Sequence, residues 1–193
     1  MALSVREIVT VGDPALRTKA REVTPEELGS PQVQRLIDDL IETRRAANGA
    51  GLAANQVGET LRIAVAEVDG TNPRYPYKPP IPLTVMVNPT IEPVDDEVME
   101  INEGCLSVPG LRGYLKRHAQ VRIRYLDREG KEREEVKRGL TAGTFQHEVD
   151  HLDGVLFVDR ADPRTLATWE QYERHQRVEF EERARAIVDR YGS

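Results

Sequence analysis

Hydrophobic positions along the chain change period several times, and each change marks a different element. In "SPQVQRLIDDLIETRRAANG", Val33, Leu36, Ile37, Leu40 and Ile41 fall on one helical stripe. Ser30 is placed to cap this helix, Pro31 suits its first turn, and Gly49 is its expected stop. "GAGLAANQVG" follows, with glycines at 49, 51 and 58, and "LRIAVAEV" then reads as a strand. "TVMVNPTIEPV" and "EVMEINEGCLSVPG" are extended segments broken by proline and glycine. In "AQVRIRYLDREGKEREEVKRG" Val121, Ile123 and Tyr125 alternate ahead of a turn at "DREG", which predicts a hairpin. Helical spacing returns with Leu140, Phe145, Val149 and Leu152, followed after Gly154 by the short apolar run "VLFV". From Asp162–Pro163 to Gly192 almost nothing interrupts a helix, which would span about 40 Å if continuous.

The order is helix, several strands, then helices, so the fold class is α+β rather than alternating βαβ units. The 193 residues suffice for one domain with a sizeable core, or a domain plus an appended element. We expect a domain over residues 1–162 and a C-terminal helical extension over 163–193. Residues 70–83, "GTNPRYPYKPPIPL", hold five of the twelve prolines and are expected to form a surface loop without regular structure. There is no internal repeat and no low-complexity tract.

Charge narrows the function. With 27 basic and 33 acidic residues the net charge is −6, which argues against a general nucleic-acid binder held by phosphate contacts. No apolar run reaches the roughly 18 residues of a membrane span, and the N-terminus has neither secretory nor transit character. These features predict a cytoplasmic protein with no membrane partner. The single cysteine, Cys105, is either a small buried apolar residue or a reactive group or ligand.

Candidate chemistry lies in "TFQHEVDHLDG". His147 and His151 are four residues apart, about 40° from each other around a helix, with Glu148 beside them. Two imidazoles so placed can bind one metal ion, and the carboxylate can take a proton from water activated there. The same pattern also suits a solvated helix. No histidine follows at the spacing of extended zinc-peptidase motifs, His175 sits in a charged stretch, and the later glutamates are too many to discriminate. The upstream candidate for a third ligand is Cys105 in "EGCLSVPG", beside a turn-forming glycine.

"GAGLAANQ", "EGCLS" and "QHEVDHLDG", in this order and at these intervals, resemble the three signature motifs of the peptide deformylases. The resemblance begins near "GDPALR" and spans roughly residues 5 to 160. It implies a compact fold with strands around the HExxH helix, and removal of the formyl group from the N-terminal formylmethionine of nascent polypeptides. Formate would be released, with a metal-bound hydroxide as nucleophile. Cys105, His147 and His151 would be the metal ligands, with Fe2+ as the native ion and Zn2+ or Ni2+ also able to occupy the site. Glu148 would be the general base and later the acid. Gln56 and the backbone N–H of Leu106 would stabilise the oxyanion. Gly51 would contact the substrate main chain, and Gly104 and Arg112 would border the substrate; their plain readings are a turn and a solvated charge.

The chain departs from the family where bulky aliphatic residues often wall the methionine pocket. Here those positions hold Gly143, Thr144 and Phe145. Every implied catalytic residue lies before 152, so residues 173–193 are expected to be dispensable for turnover. In some family members a C-terminal helix sits near the ribosomal exit tunnel; a solvated helix or a dimer contact is the plain alternative. Two other readings of the whole chain are a zinc endopeptidase, which leaves Cys105 without a role, and a non-catalytic module that docks nascent chains or ribosomes. Loss of Glu148, Gln56 or a ligand would mark the latter, and all are present.

Overall fold

A computed structural model describes residues 4–70 and 76–193; the part of the proline-rich stretch at 71–75 lies outside them. Two short helices precede the sheets, α1 (Pro25–Leu28) and α2 (Pro31–Ala46). Ser30 caps α2 by accepting from the Val33 N–H at 3.3 Å, with Pro31 in the first turn, and the expected stripe is buried. The helix ends at Ala46, ahead of the expected Gly49, and Asn48 in the turn that follows takes a left-handed conformation at φ 51°.

Seven strands follow: β1 (Gly51–Ala53), β2 (Ile63–Val68), β3 (Ile81–Pro93), β4 (Val98–Cys105), β5 (Val108–His118), β6 (Gln120–Leu126) and β7 (Glu132–Arg138). The helix α3 (Gly139–Leu152) comes next, then β8 (Ala167–Thr168), α4 (Trp169–His175) and α5 (Arg177–Tyr191). One antiparallel sheet has the order β1-β2-β3-β6-β7 and the other β4-β5-β8, so β1 and β4 are each an edge. The hairpin β6–β7 pairs from Gln120–Arg138 to Leu126–Glu132, as its alternation predicts.

Strand β2 explains the layering. Ile63 and Val65 pack with Leu36, Ile37, Leu40 and Ile41 of α2, while Ala64 and Ala66 pack with Phe145, Val149 and Leu152 of α3. The small residues on the second face let α3 approach closely. Leu140, at the start of α3, packs with Met99 and Ile101 of the smaller sheet. Thus α3 runs between the sheets, and all its residues but His147 and Asp150 are buried. Its last turn is held by Arg62, which donates to Asp153 Oδ1 at 2.8 Å, and by the Ala20 N–H on the Leu152 carbonyl.

Two expectations change, and one stretch without a prediction becomes strand. The proline-rich stretch gives way to strand at Ile81, and β3 tolerates Pro89 because Asn88, at φ 51°, opens a bulge between Val87 and Thr90. Residues 111–118, whose charged composition hides alternation, extend β5. The C-terminal segment is helical but not one rod: Gln176 leaves helical geometry at φ −121°, dividing α4 from α5. The break allows Tyr172 and Phe180 to bury on the same patch, with ring centroids 6.2 Å apart, over Met99, Ile101 and Leu140. Packing overrides local helix preference here.

Candidate active site

Strand β4 delivers Cys105 to the middle of α3. Cys105 Sγ lies 3.2 Å from His151 Nε2, and the two Nε2 atoms of His151 and His147 are 3.3 Å apart. Ligand atoms of these three residues all lie within 4.8 Å of one another. The expected trio is therefore assembled from one strand end and one helix face.

The orientation of His147 is fixed by residues with no role in the sequence reading. Its Nδ1 is 2.8 Å from Glu103 Oε2, leaving Nε2 toward the thiol. Glu103 in turn accepts two hydrogen bonds from Arg117, each 2.9 Å, and Arg117 also donates to Asp150, which accepts a further pair from Arg160. Burial works against the Glu103 carboxylate, but Arg117 and His147 hold it well below the usual range. Glu103 sits inside the "EGCLS" motif, and Asp150 lies between the histidines; their positions were visible but their pairing across 33 and 44 residues was not.

Electrostatics at the trio favour the thiolate of Cys105. Burial opposes a thiolate, yet His151 and His147 outweigh it and bring Cys105 down to about 5. Burial likewise holds Glu148 above the ordinary carboxylate range, with the histidines pulling the other way. Glu148 is 3% exposed, lines the pocket, and its Oε2 has no hydrogen-bond partner among the described residues. A soft thiolate with two imidazoles suits a borderline divalent ion, and an unpartnered carboxylate oxygen beside them suits a bound water; the residues fit a metal site.

Gln56 is poised by its neighbours. Its Oε1 accepts from the Ala53 N–H at 2.9 Å, and Nε2 donates to Ser107 Oγ at 3.1 Å and toward Cys105 Sγ at 3.5 Å. Gly51 and Leu106 also line the pocket. A β-carbon on Gly51 would fall on the Glu148 carboxylate, so only glycine fits.

Neither plain reading of Gly104 and Arg112 holds. Gly104 lies in β4, paired with Arg112, and the turn falls at Leu106–Ser107 instead. Arg112 is 3% exposed, donates to Asn102 Oδ1 at 2.7 Å and to the Asn102 carbonyl at 3.0 Å, and lies over the Tyr172 ring at 4.4 Å. Both line the pocket.

The pocket wall differs from expectation. Gly143 and Thr144 line it, but Phe145 points into the core beside Ala64 and Met86. The space at Gly143 is taken by Ile101, whose Cδ1 lies 2.8 Å from where a β-carbon would be. Tyr77 and Lys78, from the proline-rich stretch, and Phe180 from α5 complete the lining. Through Phe180 the C-terminal segment thus forms part of the pocket. Burial pulls the Lys78 amine down to about 8, against the pull of Glu103 and Glu148.

A sequence model of the family described as polypeptide deformylase matches residues 5–167. The chain belongs to the peptide deformylase family. It is 43% identical over 167 residues to peptide deformylase 2 of Nostoc sp., covering 86% of this chain and 92% of that one. A class I type b peptide deformylase from Acinetobacter baumannii, crystallised with Met-Ala-Ser bound, superposes with a TM-score of 0.79 at 39% identity, over 82% of this chain and 99% of that one. A Synechococcus elongatus peptide deformylase in complex with actinonin covers all of this chain and 93% of its own, at 29% identity and TM-score 0.71. The chain is accordingly a metal-dependent hydrolase that removes the formyl group from N-formylmethionyl nascent peptides. No helix among the described residues is long and apolar enough to cross a membrane.

Proposed function

We propose that Cys105, His147 and His151 hold the ion, and that Glu148, Gln56 and the Leu106 N–H perform the chemistry on the formyl group. The observation that carries this reading is the convergence of one sulfur and two Nε2 atoms beside the unpartnered Glu148 Oε2. Bound there, a divalent ion would supply Lewis acidity at the formyl carbonyl.

Glu148 takes a proton from the attacking water and later delivers it to the leaving nitrogen; its raised proton affinity suits both tasks. Gln56 Nε2 and the Leu106 N–H donate to the carbonyl oxygen as negative charge develops on it. The formyl C–N bond breaks, giving formate and a free amine. Gly51, Gly104 and Arg112 border the peptide. Gly51 leaves room for its main chain beside Glu148, and Arg112 braces the pocket through Asn102 and the α4 aromatics.

Ferrous iron is the proposed native ion, with Zn2+ and Ni2+ acceptable to the same donors. Ribosome docking through α5 gains no support from its charge pattern. Arg177, Arg183 and Arg185 pair with Glu173, Glu181 and Glu179 one turn away rather than forming a bare cationic face. The deciding experiment is formate release from formyl-Met-Ala-Ser by wild type and Glu148→Ala, with metal per chain measured for both. Glu148→Ala should keep its metal and lose about 10²-fold or more in turnover. Near-normal turnover with full metal content would remove Glu148 from the mechanism.

A further inference from the structure

One wall of the pocket is polar, at the positions where the chain departs from the family's aliphatic residues. Lys78 lines it and donates from Nζ to Thr144 Oγ1 at 2.7 Å. Thr144 gives its own proton to the Leu140 carbonyl, 3.2 Å away in the preceding turn of α3, so its oxygen faces the ammonium as an acceptor. The neighbouring Tyr77 packs edge-on against Phe180, with centroids 5.0 Å apart, which anchors this segment to α5. Asn102 adds a second donor. It is 4% exposed, lines the same pocket, and its Nδ2 has no hydrogen-bond partner among the described residues. Ile101, Leu140 and Gly143 supply the apolar part of the lining.

This combination is poorly matched to a thioether alone. The sulfur of methionine is a weak acceptor and gives little to an ammonium or an amide N–H. A sulfoxide of the same side chain has the same length and carries a strong acceptor oxygen at the position of the sulfur. An apolar pocket would reject that oxygen because its hydration is lost without replacement, whereas a pocket with buried donors gains from it.

We propose that Lys78 is a specificity-determining residue. With Thr144 holding its ammonium in the pocket, it admits N-formyl peptides whose first residue is methionine sulfoxide as substrates beside those beginning with formylmethionine. The inference rests on the active-site reading above. The reaction is the same hydrolysis: water cleaves the formyl C–N bond, and the oxidation state of sulfur does not change.

The test compares three peptides, formyl-Met-Ala-Ser, its sulfoxide as mixed epimers, and formyl-norleucine-Ala-Ser, an apolar isostere lacking any acceptor. The readout is the ratio of kcat/KM for sulfoxide over norleucine, measured by formate release with the metal-loaded full chain. Lys78→Met should lower this ratio at least about tenfold, the size of one lost charged hydrogen bond, and Lys78→Arg should restore part of it. Thr144→Val, which keeps the lysine but removes its partner, should lower the ratio less and provides a second reading if Lys78→Met folds poorly. A ratio within twofold of wild type in both Lys78→Met and Thr144→Val, or an equal loss on all three peptides, would overturn the proposal. Wild-type turnover of the norleucine peptide checks the active-site reading separately, since it does not depend on the ratio.

Discussion

Gly51 and Glu148 are in such close contact that the Glu148 carboxylate occupies the space a β-carbon on Gly51 would need. Gly51→Ala must therefore displace Glu148 or the β1 backbone. We expect turnover of a formyl peptide to fall about 10²-fold, the usual contribution of a positioned base, with metal content unchanged. Formate release together with elemental analysis checks this. Full activity would show that Glu148 moves freely and is not held for its task.

Glu103 meets Nδ1 of His147, a proposed metal ligand, at 2.8 Å and so orients its ring. Glu103→Gln should weaken metal affinity about 10- to 100-fold, as loss of such a partner usually does. Competition against a chelator of known affinity measures it. Unaltered affinity would mean that Arg117 and the helix alone aim the imidazole.

Cys105→Ser replaces a soft thiolate by a hard, poorly ionised hydroxyl and should reduce metal per chain. A cysteine with only a packing role predicts normal metal and a small stability change. With iron, the wild type purified without oxygen should be active and lose activity in air, whereas nickel-loaded protein should survive the same exposure.

Phe180 joins α5 to the pocket. Phe180→Ala should cost about 3 kcal/mol in urea unfolding, because it empties a site packed by Tyr77, Tyr114 and Tyr172. It should also raise KM for formyl peptides. Unchanged stability and KM together would return α5 to the status of an appendage.

Asp39 supplies a pH test of the fold. Its buried carboxylate accepts from Arg6 Nε at 2.9 Å and from the Ser4 N–H at 3.1 Å; burial raises its proton affinity, but these donors outweigh it and the net shift is downward. A lowered carboxyl stabilises the folded state above the unfolded value near about 4, and that stability is lost as pH falls through the folded value. Asp39→Asn should thus be about 2 kcal/mol less stable than wild type near neutral pH. The gap should shrink in acid. A gap that is constant with pH would deny the ion pair any part in stability.

What the sequence revealed depended on how local each signal was. The stripe of α2, the alternation of β6 and the spacing of His147 and His151 are encoded within a few residues, and all were readable. The approach of Cys105 to α3 was readable only as one of three matching motifs. Lys78 was hidden in a proline-rich stretch, and the bulge at Asn88 and the break at Gln176 are decided by packing partners far along the chain. Glu103 and Arg117 looked like ordinary charges, because only the fold puts them next to each other and beside His147.

Among the described residues the two sheets each present an unpaired edge, β1 and β4, and residues of both strands line the same pocket. Main-chain groups on such edges recognise what every peptide shares and nothing that distinguishes one from another. An enzyme built this way can meet almost every newly made protein of a cell, whatever residues come second and third. Its selectivity would then reside in the first residue alone. Across formyl-Met-X-Y peptides of varied X and Y, kcat/KM should spread by less than about tenfold, well short of what a pocket built to hydrogen-bond one side chain imposes. A much wider spread would point to side-chain pockets beyond the first position and to a clientele narrower than the whole proteome.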